Sequence, residues 1–193
     1  MANLFKDRIL EHQAVIEAIV KNDVLLDEIK RTAQTITDVY RAGGKLLICG
    51  NGGSAADSQH IAAELVSRFY MERAALDAEA LTVNISSITA IGNDYTFDNI
   101  FSRQVEAKGK KGDAIIGIST SGNSINVYNA LIKAKKLGMT TICFIGGKTE
   151  TLIPKTCDIV ISIPCTDTPR IQECHIMIGH IICEYVESEL FKK

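Results

Sequence analysis

The sequence has no long apolar run, and this absence bears on where the protein acts. Its start, MANLFKDRILEHQ, alternates charged and apolar residues, unlike the continuous apolar segment of a signal peptide. No stretch reaches the ~18–20 apolar residues that a membrane-spanning helix requires. We therefore expect a cytoplasmic protein with no membrane partner.

The sequence also lacks a large net charge and any closely spaced pair of cysteines. The 21 basic and 23 acidic side chains give a net charge of −2, which provides no reason to expect a nucleic-acid partner. The six cysteines contain no C-x-x-C pair, and three of them (Cys49, Cys143, Cys157) lie in or beside apolar runs. This pattern is typical of small buried thiols in a reducing compartment rather than of disulfides or a thiolate metal site.

Linkers, long repeats and blocks of like charge are absent as well, so the 193 residues predict one domain, 1–193. Residues 3 to about 42 predict two amphipathic helices that end at Gly43-Gly44. Their apolar stripes lie outside the core and need a partner surface, which indicates subunit association. We accordingly divide the domain into N-terminal oligomerisation helices, 1–42, and a core, 43–193.

The core alternates predicted strands with predicted helices. The strands are expected at 45–49, 79–84, 114–118, 140–145 and 159–163, and the helices at 54–65, 88–94 (broken at Gly92), 97–108, 125–137 and 169–190. Such alternation is typical of a parallel sheet covered by helices on both faces. The predicted fold class is therefore α/β: a five-stranded parallel sheet in a flavodoxin-like three-layer α/β/α arrangement, plus the N-terminal helices.

The stretch KLLICGNGGSAADSQHIAAEL, at 45–65, combines a strand, a glycine turn and a helix. The first amides of a helix have no partners within it, so this turn is a ready anion site. Further along the helix, His60 and Glu64 are four residues apart and share a face. They can form a metal or proton-transfer pair, although such a pair on an isolated helix is more often a surface interaction.

A second loop, STSGNS at 119–124, also follows a strand and opens a helix. Hydroxyls and free amides at a helix start can surround a phosphate monoester. Helix capping is the alternative, but four hydroxyls in six positions exceed what capping requires. A nucleotide cofactor is not expected: GNGGSA fits G-x-G-x-x-A without the acidic residue that holds a ribose, and G-x-x-x-x-G-K-[ST] is absent.

Taken together and in order, GNGGSA, AIGND, STSGNS and RIQE resemble the sugar isomerase (SIS) family, most closely the phosphoheptose isomerases. The resemblance runs nearly end to end. It implies isomerisation of sedoheptulose 7-phosphate to D-glycero-D-manno-heptose 7-phosphate through an enediol, for the ADP-heptose of bacterial lipopolysaccharide. It also implies a sugar-phosphate ligand, a homotetramer with active sites at subunit interfaces, and a bound zinc.

The resemblance implies the site residues too. Glu64 and His180 are the expected catalytic acid/base pair, with Glu64 moving the proton between carbons. The expected metal ligands are His60, Glu64, Gln172 and His180. The expected substrate contacts are Asn51, Gly52, Gly53, Ser54, Asn93, Asp94, Ser119, Thr120, Ser121, Ser124 and Gln172. Arg68 is placed near the entrance, and the roles of Asp167 and Thr168 are left open.

Two other functions share this fold. Some bacterial proteins bind the replication initiator DnaA and resemble the isomerases over their whole length, but the residues corresponding to Glu64 and His180 are altered in them. This sequence keeps both residues, which favours the enzyme. A sugar-phosphate-sensing domain is the other alternative, and no helix-turn-helix signature precedes the core.

Overall fold

The buried apolar runs form one parallel sheet. The computed structural model describes residues 3–192, and within that range the sheet has five strands in the order β2-β1-β3-β4-β5. The strands are β1 (Leu46–Gly50), β2 (Ala78–Ala80), β3 (Ala114–Ser119), β4 (Thr140–Ile145) and β5 (Ile159–Ser162). Every residue of β1 and β3 is buried, as expected for central strands covered on both faces.

Helices cover both faces of the sheet. Within residues 3–192 there are seven: α1 (Leu4–Val20), α2 (Asp23–Arg41), α3 (Gly53–Val66), α4 (Ile85–Asp94), α5 (Ser102–Lys108), α6 (Ile125–Lys136) and α7 (Thr168–Phe191). One apolar cluster joins the sheet to α1, α2, α3 and α7. A second joins its other face to α5 and α6. The predicted three-layer α/β/α class with this flavodoxin-like strand order is confirmed.

The region after β1 differs from the prediction in its details. The strand predicted at 79–84 ends at Ala80, and Asn84 instead caps α4 by accepting a hydrogen bond from the Ser87 amide at 3.0 Å. Helix α4 begins at Ile85 and continues through Gly92, so the predicted break there is wrong. The helix predicted at 97–108 is a 3-10 turn at Phe97–Asn99 followed by α5.

The two N-terminal helices pack differently. Helix α2 is part of the core, where Leu25, Ile29 and Ile36 are buried. Helix α1 buries Val15 and Ile19 but leaves Phe5 78% exposed. The boundary between residues 42 and 43 and the role in oligomerisation stay predictions. Across residues 3–192, no helix combines the length and apolar content needed to cross a bilayer.

Two features of this architecture position the site. The connections from β1 and β3 leave in opposite directions across the sheet, so the segments after these neighbouring strands flank a crevice at its carboxyl edge. On one face, α3 packs closely beside α7. A Cβ built on Gly179 would lie 2.8 Å from two side-chain carbons of Ile61, so any larger residue there would force Ile61 or the helices to shift.

Candidate active site

The hydroxyl-rich loop after β3 presents its side chains towards one another. Gly122 has a φ of 68°, which turns the loop back into α6. The Ser119 hydroxyl lies 2.8 Å from that of Ser124 and 3.5 Å from that of Ser121. Ser124 is the N-cap of α6, yet its side chain makes no capping hydrogen bond. Ser124 therefore does not cap α6 through its side chain, and its hydroxyl instead lies against that of Ser119, which is 3% exposed.

A cavity of about 180 Å³ opens beside this loop. It is lined by Thr120, Ser121, Asn123, Gly147, Lys148, Cys165, Thr166 and Thr168. Lys148 gives the cavity a positive charge, which suits an anion. Lys148 was not predicted from the sequence because it lies 24 residues after Ser124, but its position three residues beyond the end of β4 was a usable signal. Thr168, whose role was open, lines the cavity as the first residue of α7.

The glycine turn after β1 is tied to the second loop. Gly52 is the N-cap of α3 with a φ of 56°, and Ser54 in the first turn is buried. The Asn51 amide both donates to and accepts from the amide of Asn126, at 2.8 and 2.9 Å. Asn126 is 2% exposed and was not singled out from the sequence. Its side chain keeps the two loops at a fixed spacing.

Gln172 lies over the start of α3. A Cβ built on Gly53 would collide with its side-chain amide, so the absence of a side chain at 53 makes room for Gln172. This places an amide with donor and acceptor capacity beside the glycine turn. The position suits contact with a substrate hydroxyl or phosphate oxygen.

His60, Glu64 and His180 meet where α3 and α7 run side by side. His60 Nε2 lies 3.1 Å from Glu64 Oε1 and 3.0 Å from His180 Nε2, and all three ligand atoms fall within 4.8 Å of one another. Zinc bonds of ~2.0–2.1 Å in tetrahedral geometry place neighbouring ligand atoms about 3.3 Å apart. The two spacings to His60 are close to this value, and two nitrogens with one oxygen form a donor set that could hold a metal ion.

Gln172 is not brought into this group within one chain. It precedes His180 by eight residues on α7, which is about 12 Å along a helix. Its predicted role as a metal ligand therefore stays a prediction, as does that of the whole ligand set.

Asn93 and Asp94 lie at the exposed C-terminal end of α4, where the Asn93 amide donates to Asp94 at 2.9 Å. Arg68 is exposed, and its Nε lies 3.9 Å from a carboxylate oxygen of Glu72.

Asp57 is a further acidic group near these residues. On α3, Gly53, Asp57, His60 and Glu64 follow helical spacing and share one face. One Asp57 carboxylate oxygen is buried without a hydrogen-bond partner. Burial raises the pKa of Asp57 from 3.8 to about 6, against the opposing effect of His60. The helical period after the glycine turn was the signal that could have identified it.

Known proteins resemble this chain in both sequence and structure. A model of the SIS domain family matches residues 10–146. A phosphoheptose isomerase of Clostridium acetobutylicum is 53% identical over 191 residues, which cover 99% of this chain and 97% of that protein. The solved phosphoheptose isomerase of Francisella tularensis matches with a TM-score of 0.92 and 32% identity, covering 97% of this chain and 98% of that one. The solved phosphoheptose isomerase of Neisseria gonorrhoeae matches with a TM-score of 0.85 and 40% identity, covering 95% of this chain and 99% of that one.

These similarities extend over nearly the full length of the chain and of its relatives. Nothing in them supports the DnaA-binding alternative. The chain belongs to the SIS domain family and, within it, to the phosphoheptose isomerases, and it is therefore an isomerase.

Proposed function

We propose that this chain converts sedoheptulose 7-phosphate to D-glycero-D-manno-heptose 7-phosphate, the first step towards ADP-heptose for lipopolysaccharide. The observation that carries the proposal is the joint position of Glu64 and His180, which both lie within hydrogen-bond distance of His60. An aldose–ketose isomerase needs an acid/base pair at the reacting carbons. It also needs a separate site for the phosphate, and the hydroxyl loop and its cavity are suited to that.

The reaction moves a carbonyl from C2 to C1, and the residues divide the proton transfers. The Glu64 carboxylate takes a proton from C1, while His180 gives one to the oxygen on C2, which yields the enediol. Glu64 then returns its proton to C2, and His180 takes the proton from the oxygen on C1, which leaves the aldehyde. Both groups end in the protonation states in which they began, so no redox cofactor or nucleotide is needed.

His60, Glu64 and His180 would hold a zinc ion, and Gln172 from a second copy of the chain is a proposed fourth ligand. Zinc bound there would polarise the sugar oxygens and stabilise negative charge on them. Glu64 Oε1 and His180 Nε2 both contact His60, so we assign proton transfer to the other carboxylate oxygen of Glu64 and to Nδ1 of His180. Asp94 is assigned to orienting sugar hydroxyls.

The phosphate is assigned to Ser119, Thr120, Ser121 and Ser124, with Lys148 supplying charge. The hydroxyls of Ser119 and Ser124 converge, and Lys148 lines the adjoining cavity. The sugar end is assigned to the turn at Asn51, Gly52, Gly53 and Ser54, and to Asn93 and Gln172. The amides of this turn and the first turn of α3 are the groups that favour a negatively charged or polar ligand.

A second copy of the chain is proposed to complete the site. His60 lies seven residues after Gly53, about 10 Å along α3, so the acid/base cluster is well separated from the glycine turn within one chain. Around the cluster, Val66, Tyr70 and Ile181 are 46%, 71% and 47% exposed, which leaves apolar surface to be covered. We propose a homotetramer with shared active sites, acting in the cytoplasm.

The direct test is incubation of the metal-replete protein with sedoheptulose 7-phosphate, with the aldose phosphate measured as product. Glu64→Gln should abolish turnover while leaving the thermal unfolding transition intact. Glu72→Gln is the matched control, because Glu72 has a side chain 91% exposed on the segment after α3 and should leave turnover unchanged. No product from the wild-type protein would contradict the proposal and favour a binding role instead.

A further inference from the structure

A buried ion pair lies next to the acid/base cluster. Arg73, in the segment between α3 and β2, donates from Nε to Glu187 of α7 at 2.9 Å, and the two side chains are 1% and 2% exposed. Glu187 also accepts from the backbone amides of Phe69, Tyr70 and Met71, at 2.9, 2.7 and 2.9 Å. Burial works to raise the pKa of Glu187, but these amides and Arg73 keep it below its ordinary value.

The other side of the guanidinium is bonded to the last turn of α3. Arg73 Nη2 donates to the backbone carbonyl of Glu64 at 2.9 Å, and Nη1 donates to that of Leu65 at 2.8 Å. Carbonyls at a helix C-terminus have no partners within the helix. The arginine therefore satisfies them and joins the end of α3, including the backbone of Glu64, to α7.

The segment between α3 and β2 also reaches His180, through Phe69. Glu187 follows His180 by seven residues, two turns later on the same face of α7. The Phe69 amide is bonded to Glu187, and the Phe69 ring centroid lies 5.8 Å from that of His180. The carboxylate thus also holds the backbone of the residue whose ring packs beside the imidazole.

We propose that Arg73 and Glu187 are positioning residues for the active site, which hold the Glu64 carboxylate and the His180 ring in their relative orientation. The inference rests on the roles proposed above for Glu64 and His180. Stability alone is a poor reason for such a pair, because desolvation of two buried charges offsets much of their attraction. The pair bonds to the backbone of Glu64 on one side and to the backbone of Phe69 on the other. These bonds give it a specific role in holding the two proposed catalytic residues in place.

Glu187→Gln tests the proposal, because it keeps the shape of the side chain and removes its charge. We expect kcat to fall about 10- to 100-fold with KM unchanged, as for a small displacement of reacting groups. The matched control is Asp113→Asn. Asp113 is also a buried carboxylate, paired with Lys45 at 3.3 Å and accepting two backbone amides, but its carboxylate bonds Lys45 and Lys110 rather than a residue of α3 or α7. It should lower stability and leave kcat unchanged.

A second measurement needs no substrate. The chain has four histidines, His12, His60, His175 and His180, whose ring nitrogens can be followed by long-range 1H–15N correlation spectra of the metal-free protein. In Glu187→Gln we expect the signals of His60 and His180 to move and those of His12 to stay. In Asp113→Asn none should move. If Glu187→Gln does not fold, Arg73→Lys takes its place, because it keeps the charge and loses the donors to the two carbonyls.

Unmoved signals of His60 and His180 in a folded variant would overturn the proposal, and so would moved signals with unchanged kcat. A wild-type protein without isomerase activity would instead contradict the proposed function. The histidine spectra would then decide alone whether the ion pair orients the two rings.

Discussion

The side chains of Asn51 and Asn126 exchange two hydrogen bonds, although they are 75 residues apart in sequence. The pair links the turn after β1 to the first turn of α6. We predict that Asn126→Ala leaves the Asn51 amide unpaired and lowers the free energy of unfolding by about 1–3 kcal/mol. It should also lower kcat/KM about 10-fold or more, because the two loops lose their fixed spacing. Urea denaturation and steady-state kinetics measure the two effects.

Asn129→Ala is the control for this change. Asn129 lies on the same helix and donates to the Asp98 carbonyl at 3.0 Å in an exposed position. Asn129→Ala should change neither the free energy of unfolding nor kcat/KM measurably. Wild-type kinetics in Asn126→Ala would show that the loops keep their spacing without the amide pair.

Lys148→Met removes the charge from the cavity beside the hydroxyl loop. We predict that KM for the sugar phosphate rises about five-fold, the modest effect expected of an exposed charge, while kcat is unchanged because the reacting carbons are at the other end of the substrate. The rise in KM should shrink as salt is added, since the interaction is screened. Lys155→Met, with a side chain 62% exposed outside the cavity, should leave KM as it is. An equal effect of both variants would rule out a specific role for Lys148.

His180→Asn removes one nitrogen from the proposed metal group. We predict that the wild-type chain binds Zn²⁺ and that this variant binds it at least about 10- to 100-fold more weakly. A loss of that size is typical even when the mutated residue only hydrogen-bonds to a metal ligand. Competition with a chromogenic chelator measures the affinity. His12→Asn is the control, because His12 lies 2.8 Å from Glu173 and outside the group. Equal affinities in the two variants would exclude His180 as a ligand.

Asp57→Asn should change how stability depends on pH. Because the folded pKa is about 6 against an ordinary 3.8, the folded state holds the proton more tightly than the unfolded state. The free energy of unfolding of the wild-type protein should therefore fall as pH rises from 3.8 to about 6 and stay lower above that range. The asparagine variant should lack this part of the slope, and it should be more stable than wild type at pH 7.5.

Thermal unfolding of the metal-free protein between pH 4.5 and 7.5 provides the measurement. Asp38→Asn is the comparison, since Asp38 has a side chain 72% exposed, and it should follow the wild-type slope. Parallel curves for wild type and Asp57→Asn would show that burial does not perturb the carboxyl.

The fold was predictable because its signals are local. Continuous apolar runs identified β3 and β4 nearly to the residue, and the four-residue spacing of His60 and Glu64 placed them on one face of a helix. The end of β2 was misplaced because apolar residues such as Leu81 pack in the core without extending the strand.

The parts of the site that sequence could not supply depend on strand order. Lys148 follows β4 and reaches the loop after β3 only because these strands are neighbours. Asn126 meets Asn51 for the same reason, through β1 and β3. The meeting of His60 with His180 was implied by resemblance and is explained by the packing of α3 on α7.

Gly179 has a consequence for the two imidazoles. It precedes His180, and the carbons that a Cβ at 179 would touch belong to Ile61, which follows His60. The absence of a side chain at 179 thus lets Ile61, and with it the part of α3 that carries His60, pack close to α7. A methyl group at 179 would press against Ile61, so that either its side chain or the spacing of α3 and α7 would have to change, and a change of the spacing would move the two imidazoles apart.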